Sequence, residues 1–569
     1  MKPFAGFLGR HLAKGFALLF LLPEILAPQT QTQTPSQTAP RTQTETTPQA
    51  PLTGPRIRVA THLVEIGVIV RDKNGPVADL TKDDFVVLDR GKPQTISVFS
   101  VESSATATQA AQPLPQNTFS DLPQYGASTP RSVTIVLLDN LNTLSGSTPT
   151  NYESTPYWIE DHALANAKQH LLDFLKNLDP GDGIAIYGLT DSLHVLCDFT
   201  CDRDQLMAVV SKYDATSKTQ REAVEPGSSH TPQGRDFDMH IDADTQTMAA
   251  FHDQDRAQAT MAALTAIANH VADIPGRKNL LWLTANLPFS GAAIAHILAR
   301  ANIAAYPVDA RGLLPRMPAT TWDDAEPSES PAQHALGIDG SPANSDQPVG
   351  VDAMQTMAED TGGRAFVNTN DLTGAIRKAV EDSQVTYTLG FYIEPDALDG
   401  KFHELKVKVN RSELDVRYPK GYFAFKDAPA TKDELHNGLV AAIRSPLDAS
   451  AIPLQIRVDR VNQPAPKSLS LLGSIDIHEL QLAKHGETRT GVVEITVVEQ
   501  DQTGKVLLQT TNRVDLRFTE KQYDAILQSG IHFRKPLKPQ AGATTLRVVV
   551  EDPSTAEVGS LVIPLSGLK

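Results

Sequence analysis

The sequence predicts a multidomain protein of α/β plus all-β class, with a central Rossmann-like α/β domain flanked by antiparallel β domains. Three observations predict it. The runs RSVTIVLLD (131–139), GRKNLLWLT (276–284) and ANIAAYPVDARGL (301–313) are buried-strand signatures separated by helical stretches. That is the rhythm of an open α/β sheet whose site lies at the carboxyl ends of its strands. On both sides of this region, short alternating apolar runs between turn signals read as antiparallel sheets. Finally, 569 residues at roughly 150 per domain suggest three or four domains, each with its own core.

At the amino end, Lys2, Arg10 and Lys14 precede the apolar run GFALLFLLPEILA. The run is too short to span a bilayer but has the length of a signal-peptide core, so residues 1–27 read as a signal peptide cleaved near Ala27. A retained membrane anchor is the competing reading. No other stretch approaches twenty apolar residues, so the mature chain is expected to have no transmembrane segment and to be periplasmic, on the cell surface or secreted. Residues 28–55 are rich in Thr, Gln and Pro without periodicity, a linker that cannot build a core.

Residues 56–100 read as a small β domain, with strands in VEIGVIVRD and DDFVVLDRGKPQTISVFS and turns at Lys73-Asn74-Gly75 and Asp89-Arg90-Gly91. Thr81, with an acid three residues later, is a capping-box signal for one helical turn. Ala, Thr, Gln and Pro dominate residues 101–130, a second linker.

The central domain is expected over 131–390, with insertions at 211–247 and 313–350. Leu164, Ala167, Leu171, Leu172 and Leu175 fall at helical spacing, and that helix leads into the strand GIAIYGL at 183–189. Asp182-Gly183 in DPGDG reads as a turn. Thr190-Asp191-Ser192 starts a hairpin-like edge, and Thr200 or Asp202 caps the helix DRDQLMAVVSKY. Further on, VDAMQTMAEDTGGRAFV supplies a helix, a Gly-Gly cap and a last strand, and DLTGAIRKAVEDSQVTYTLGFY a closing helix and an exit strand.

Residues 391–425 form a β-hairpin extension expected to pack with 56–100. Residues 426–569 read as a C-terminal β-sandwich, with helical periodicity confined to DELHNGLVAAI and strands elsewhere.

A formal charge of −16 leaves no broad basic surface, which argues against nucleic acid as a partner. The histidines, among them His162, His170, His194, His230, His240, His252, His270 and His296, come without an HExxH pair or a GxSxG elbow, so they are read as mostly solvent-facing or helix-surface residues and the chain as a non-enzyme. Cys197 and Cys201 are the only cysteines. In an exported chain they could close a small disulfide loop; two partly buried free thiols are the alternative.

On the strand ending at Asp139, the helix order and the two later strands, the central segment resembles the von Willebrand factor type A (VWA) domain. With the LTxxDF element at 80–85, the Gly-Lys-Pro turn at 91–93 and the Gly-Gly turn at 362–363, the wider chain resembles a secreted bacterial family of VWA-related proteins. The resemblance implies a divalent-cation adhesion site at the top of the first strand, with Asp, Ser and Ser at alternate positions, plus a Thr and an Asp from later loops. Mg²⁺ or Ca²⁺ would suit such oxygen ligands and leave one position for a carboxylate from a protein partner.

The match is degenerate. Asp139 and Thr143 keep the first and fifth positions, Leu141 replaces the middle serine, and Ala285 stands where the late aspartate is expected, with Asn286 beside it. Thr245 and Thr247 are candidates for the later-loop threonine. Asp309 and Asn142 complete the candidate metal ligands. Asp139 also has a plain structural alternative, capping the turn that follows it. The resemblance therefore implies an exported protein that binds a protein ligand through the top face of the VWA-like domain. The alternative is a structural or assembly component of the cell envelope with a non-functional metal site, and a metal-dependent hydrolase comes third.

Overall fold

The structure, a computed structural model, describes residues 62–103, 114–121, 132–143, 157–178, 182–213, 254–313 apart from 275, 288 and 290, 350–394, 397–424, 430–461 and 468–568. The expected signal peptide 1–27, the linker 28–55 and most of the insertions at 211–247 and 313–350 lie outside these residues.

A five-stranded sheet forms the centre, in the order Ile303–Asp309, Lys278–Thr284, Ser132–Asp139, Asp182–Leu189, Leu193–Cys197. The first four strands are parallel and the last, a hairpin edge, is antiparallel. Their near-continuous apolar runs follow from burial on both faces. Alternate residues feed two cores. Val133, Ile135, Leu137, Leu280 and Trp282 pack on one face. Val136, Leu138, Leu281 and Leu283 pack on the other, under helices Tyr157–Leu175, Arg203–Lys212 and Leu372–Glu381. Fully burying one such side chain is worth about 1.5–3 kcal/mol.

Local signals explain the element ends. Asp202 Oδ1 accepts from the Gln205 amide at 2.8 Å and Gln205 Oε1 returns the bond to the Asp202 amide at 3.0 Å, a reciprocal cap. In the 3₁₀ turn Lys82–Asp84, the amide and hydroxyl of Thr81 both donate to Asp84 Oδ2. After the helix Val351–Asp360, Gly362 adopts φ 73°. A Cβ on the next residue, Gly363, would lie 1.8 Å from the Ala305 carbonyl oxygen, so only glycine allows this approach.

Several expected boundaries are corrected. Asp182 and Gly183 do not turn; they open a strand and pair with Ser132 and Val133. The expected last strand at RAFV reduces to an isolated bridge between Phe366 and Val308. The strand Val385–Ile393, expected to complete the central domain to residue 390, instead pairs with His62–Asp72 and Val98–Ser103. It therefore belongs to a first sandwich, whose second sheet runs Gly421–Phe423, Phe402–Val409, Phe85–Asp89, Lys92–Gln94. Ile66, Val68, Phe85, Val87, Tyr387, Leu389, Leu405 and Val407 share its core.

The stretch 101–130 is not simply a linker, because Thr118–Ser120 pairs with Leu454–Val461 as an edge of the C-terminal sandwich. That second sandwich joins Ser468–Ile475 and Ile531–Leu537 to a sheet built on Thr488–Gln500, Thr545–Asp552 and Glu557–Pro564. It contains a helix that the sequence reading assigned to strand and turn, Glu520–Ser529, capped by Thr519 and Gln522.

Candidate functional site at the carboxyl end of the central sheet

Asp139 ends its strand fully buried. Asp139 Oδ1 accepts from the Asn142 amide at 2.9 Å, and Oδ2 accepts from the Asn142 side-chain NH₂ and from the Trp282 indole N–H, both at 2.9 Å. The Thr143 hydroxyl donates to the Asp139 carbonyl. Burial pushes the Asp139 carboxyl up from its usual range, and hydrogen bonds from Asn142, Thr284 and Trp282 oppose that shift. The second hydrogen of the Asn142 amide goes to the Thr260 hydroxyl at 2.9 Å, while Asn142 Oδ1 is buried without a hydrogen-bond partner.

Of the predicted ligands, Asp139, Asn142 and Thr143 therefore come together. Asp309 does not join them. It sits two strands away, across Lys278–Thr284, and Arg311 takes its carboxylate through Nε at 2.9 Å and Nη2 at 2.9 Å. Leu141 is buried in the apolar core. Asn286 Oδ1 is turned to the Leu287 amide at 2.8 Å. Thr245 and Thr247 fall outside the described residues. A hard cation at Asp139 would have to displace the Asn142 amide and the Trp282 indole, and Arg311 already neutralises the carboxylate proposed to face it. The donor set thus fits a hydrogen-bonded hub better than an octahedron of oxygens. Among the described residues, no group of three or more His, Cys, Asp or Glu side chains is placed to hold a metal ion.

Sequence reasoning missed Trp282, Thr260, Tyr213 and Arg311. Trp282 pairs with Leu137, two residues before Asp139 and on the same face of the sheet, a register that one strand alone does not reveal. Tyr213 lies near enough for the Asp139 charge, after burial, to help push its hydroxyl pKa up, and that hydroxyl is buried without a partner. Arg311 was the legible one, two residues from Asp309 in DAR.

Cys197 and Cys201 bring their sulfurs together, with Cα atoms 6.2 Å apart, inside the span of a disulfide. Among the histidines His270 is an exception to the general expectation, being buried at 5% exposure. His230, His240 and His252 lie outside the described residues.

No protein-family model matches this chain, and no curated protein matches it. Among solved structures it is similar to proximal thread matrix protein 1 of the mussel byssus at 7% identity and TM-score 0.24, over 46% of this chain and 49% of that one. The chain thus spans about half the length of that protein. It is also similar to the ArnB paralog VWA2 of Sulfolobus acidocaldarius (9% identity, TM-score 0.23, 84% of this chain and 76% of that one). A von Willebrand factor type A protein from Catenulispora acidiphila is similar at 9% identity and TM-score 0.24, over 85% and 74% of the two chains. All three are low-identity likenesses to VWA-type structures.

Proposed function

We propose that this is an exported, non-catalytic structural or assembly component of the cell envelope, of the VWA-related kind, whose Asp139 crevice works as an internal brace and whose β domains meet its partners. One observation carries the reading: both oxygens of Asp139 are taken by N–H donors from Asn142 and Trp282. A carboxylate so satisfied has little to gain from a cation, and Asp309 is neutralised in its own loop. Export rests on the basic start and apolar run of residues 1–27.

Calorimetric titration of the full chain with Mg²⁺ and with Ca²⁺ tests the proposal. Flat titrations are expected for the wild type and for Asp139→Ala. Saturable binding in the wild type that Asp139→Ala abolishes would overturn the proposal and restore a metal-assisted adhesion site that takes a carboxylate from a protein ligand.

A further inference from the structure

The central domain and the second sandwich meet at a buried histidine that neither the crevice nor the proposed function uses. The helix over residues 254–270 ends on His270. Its last carbonyls are capped from the other domain: the Ser450 amide donates to Asn269 O at 2.9 Å and the Ser450 hydroxyl to His270 O at 2.8 Å. The Asp273 amide closes back on Ser450 Oγ at 3.3 Å. Leu447, from the same segment as Ser450, is buried in the core of the central domain. The seam is thus a short plug, residues 445–450, held against one helix end.

The His270 ring faces an acceptor on each nitrogen. Nδ1 lies 2.7 Å from the Asp448 carbonyl oxygen, on the sandwich side. Nε2 lies 3.3 Å from Asp198 Oδ2, on the central side, at ion-pair distance although not aligned as a hydrogen bond. Phe199 stacks on the ring with centroids 6.4 Å apart, and Tyr187 donates to the other oxygen of Asp198 at 2.9 Å, fixing that carboxylate. A neutral imidazole has one N–H and one lone pair, so one of these two contacts would become a lone pair against an oxygen. Only the imidazolium satisfies both sides, and a positive charge at a helix C-terminus is favourable in its own right.

We propose that His270 is an acid-closed latch: protonated, it ties the central domain to the second sandwich through Asp198 and Asp448, and loss of its proton loosens the seam. This goes beyond the proposed function and does not depend on the state of the crevice.

The charged groups around the latch agree in sign. His270 is pushed up from its ordinary range by Asp198 and Asp448 against the opposing effect of burial, while Asp198 is held low by His270 and Tyr187 although burial opposes it. Burial raises Asp448 to about 6, against Arg547 and His270. Asp121, whose carboxylate caps the Leu454 amide, is also raised by burial, with Asp448 and Asp273 adding to the effect. A histidine raised in the folded state contributes stability that is full below its unfolded value near 6.5 and is lost as pH climbs through the folded pKa. Raised Asp448 acts in a lower window, between its ordinary 3.8 and about 6, in the same direction. The two windows separate the sensors.

Hydrogen–deuterium exchange of the full chain between pH 5 and 8.5, corrected for the intrinsic rate, reads the seam through peptides covering 269–274 and 445–452. In the wild type, protection there should fall by up to tenfold per pH unit as pH climbs from about 6.5 toward the folded His270 pKa, where opening releases one proton, and should level off above it. Elsewhere it should stay flat. His270→Gln should remove that slope, and Asp198→Asn, by lowering the folded His270 pKa, should make it level off at lower pH. Asp448→Asn should keep the slope, because the ring uses the Asp448 carbonyl. Should His270→Gln not fold, Asp198→Asn still decides, since its side chain is about a third exposed. A slope unchanged in Asp198→Asn, or abolished by Asp448→Asn, overturns the latch.

Discussion

A carboxylate with no access to water needs donors, and Asn142 and Trp282 give Asp139 three N–H groups. Removing one should cost more when the group is ionised. Trp282→Phe keeps an aromatic ring but deletes the indole N–H together with part of the buried ring volume, so it is expected to destabilise the full chain by at least about 1–3 kcal/mol. Since the Asp139 pKa is already raised, losing a donor raises it further, and the penalty should grow as pH rises. Urea unfolding at pH 5 and pH 8 checks the sign; equal penalties at both would mean that Trp282 matters only for packing. Asp399 gives the opposite case. The Lys401 amide, with His403 and Arg90, holds it down to about 2 against an ordinary value of 3.8. Its stabilisation is present above pH 3.8 and is lost as pH falls toward 2. The difference in melting temperature between wild type and Asp399→Asn should therefore close over that interval; a constant difference would show that the charge is not the cause.

At the scale of elements, the second sandwich sets a well-buried strand beside an exposed one. In Thr545–Asp552 every residue but the first is buried, whereas Val506–Thr519 is exposed along its first eight residues. Leu546→Ala should cost about 2–5 kcal/mol through its cavity. Leu508→Ala, at 37% exposure, should stay within about 0.5 kcal/mol. Comparable losses in urea titrations would mean that the exposed strand is covered in solution. How far elements could be read from sequence depended on how many faces each one buries. The apolar run ending on Asp139 was legible because a strand buried on both faces in a parallel sheet has no alternation. Val385–Ile393 misled for the same reason: it is buried on both faces, one of them in the first sandwich, so VTYTLGFYI looks like one more central strand. Thr118–Ser120 is too short to show any period. Asp139, Asn142 and Thr143 were legible as one local turn. Trp282, Thr260 and Tyr213 reach that turn from other elements, through strand register and helix packing that periodicity does not encode.

Across the whole molecule, charged pairs tie the first sandwich to the central domain. Asp382, just past the helix Leu372–Glu381, is nearly buried and meets Arg417 and Arg71, both from sandwich strands. Arg277, at the start of a central strand, donates to the Gly67 carbonyl of the sandwich at 3.2 Å and to Gly362 O at 2.6 Å. Asp382→Asn removes the anion the two guanidinium groups share while Arg71 keeps Glu381 and Arg417 keeps Asp415, so it should cost about 1–3 kcal/mol. Differential scanning calorimetry should then resolve an earlier transition for the sandwich; a single unshifted transition would place the coupling elsewhere.

The route of the chain through the first sandwich has a consequence in time. His62–Asp72 leaves the ribosome early, yet its main partner, Val385–Ile393, follows about 310 residues later, which at 5–20 residues per second is a wait of roughly 15–60 s. During that interval Ile66, Val68 and Val70 have no core to enter, although the central sheet, whose strands lie between the two, can already close. A nascent chain therefore carries an adhesive early strand past a finished domain, and a holding chaperone would be needed for the early segment alone. A chain stopped at residue 384 should leave the amides of 62–72 unprotected in hydrogen exchange while those of 132–139 and 278–284 remain slow.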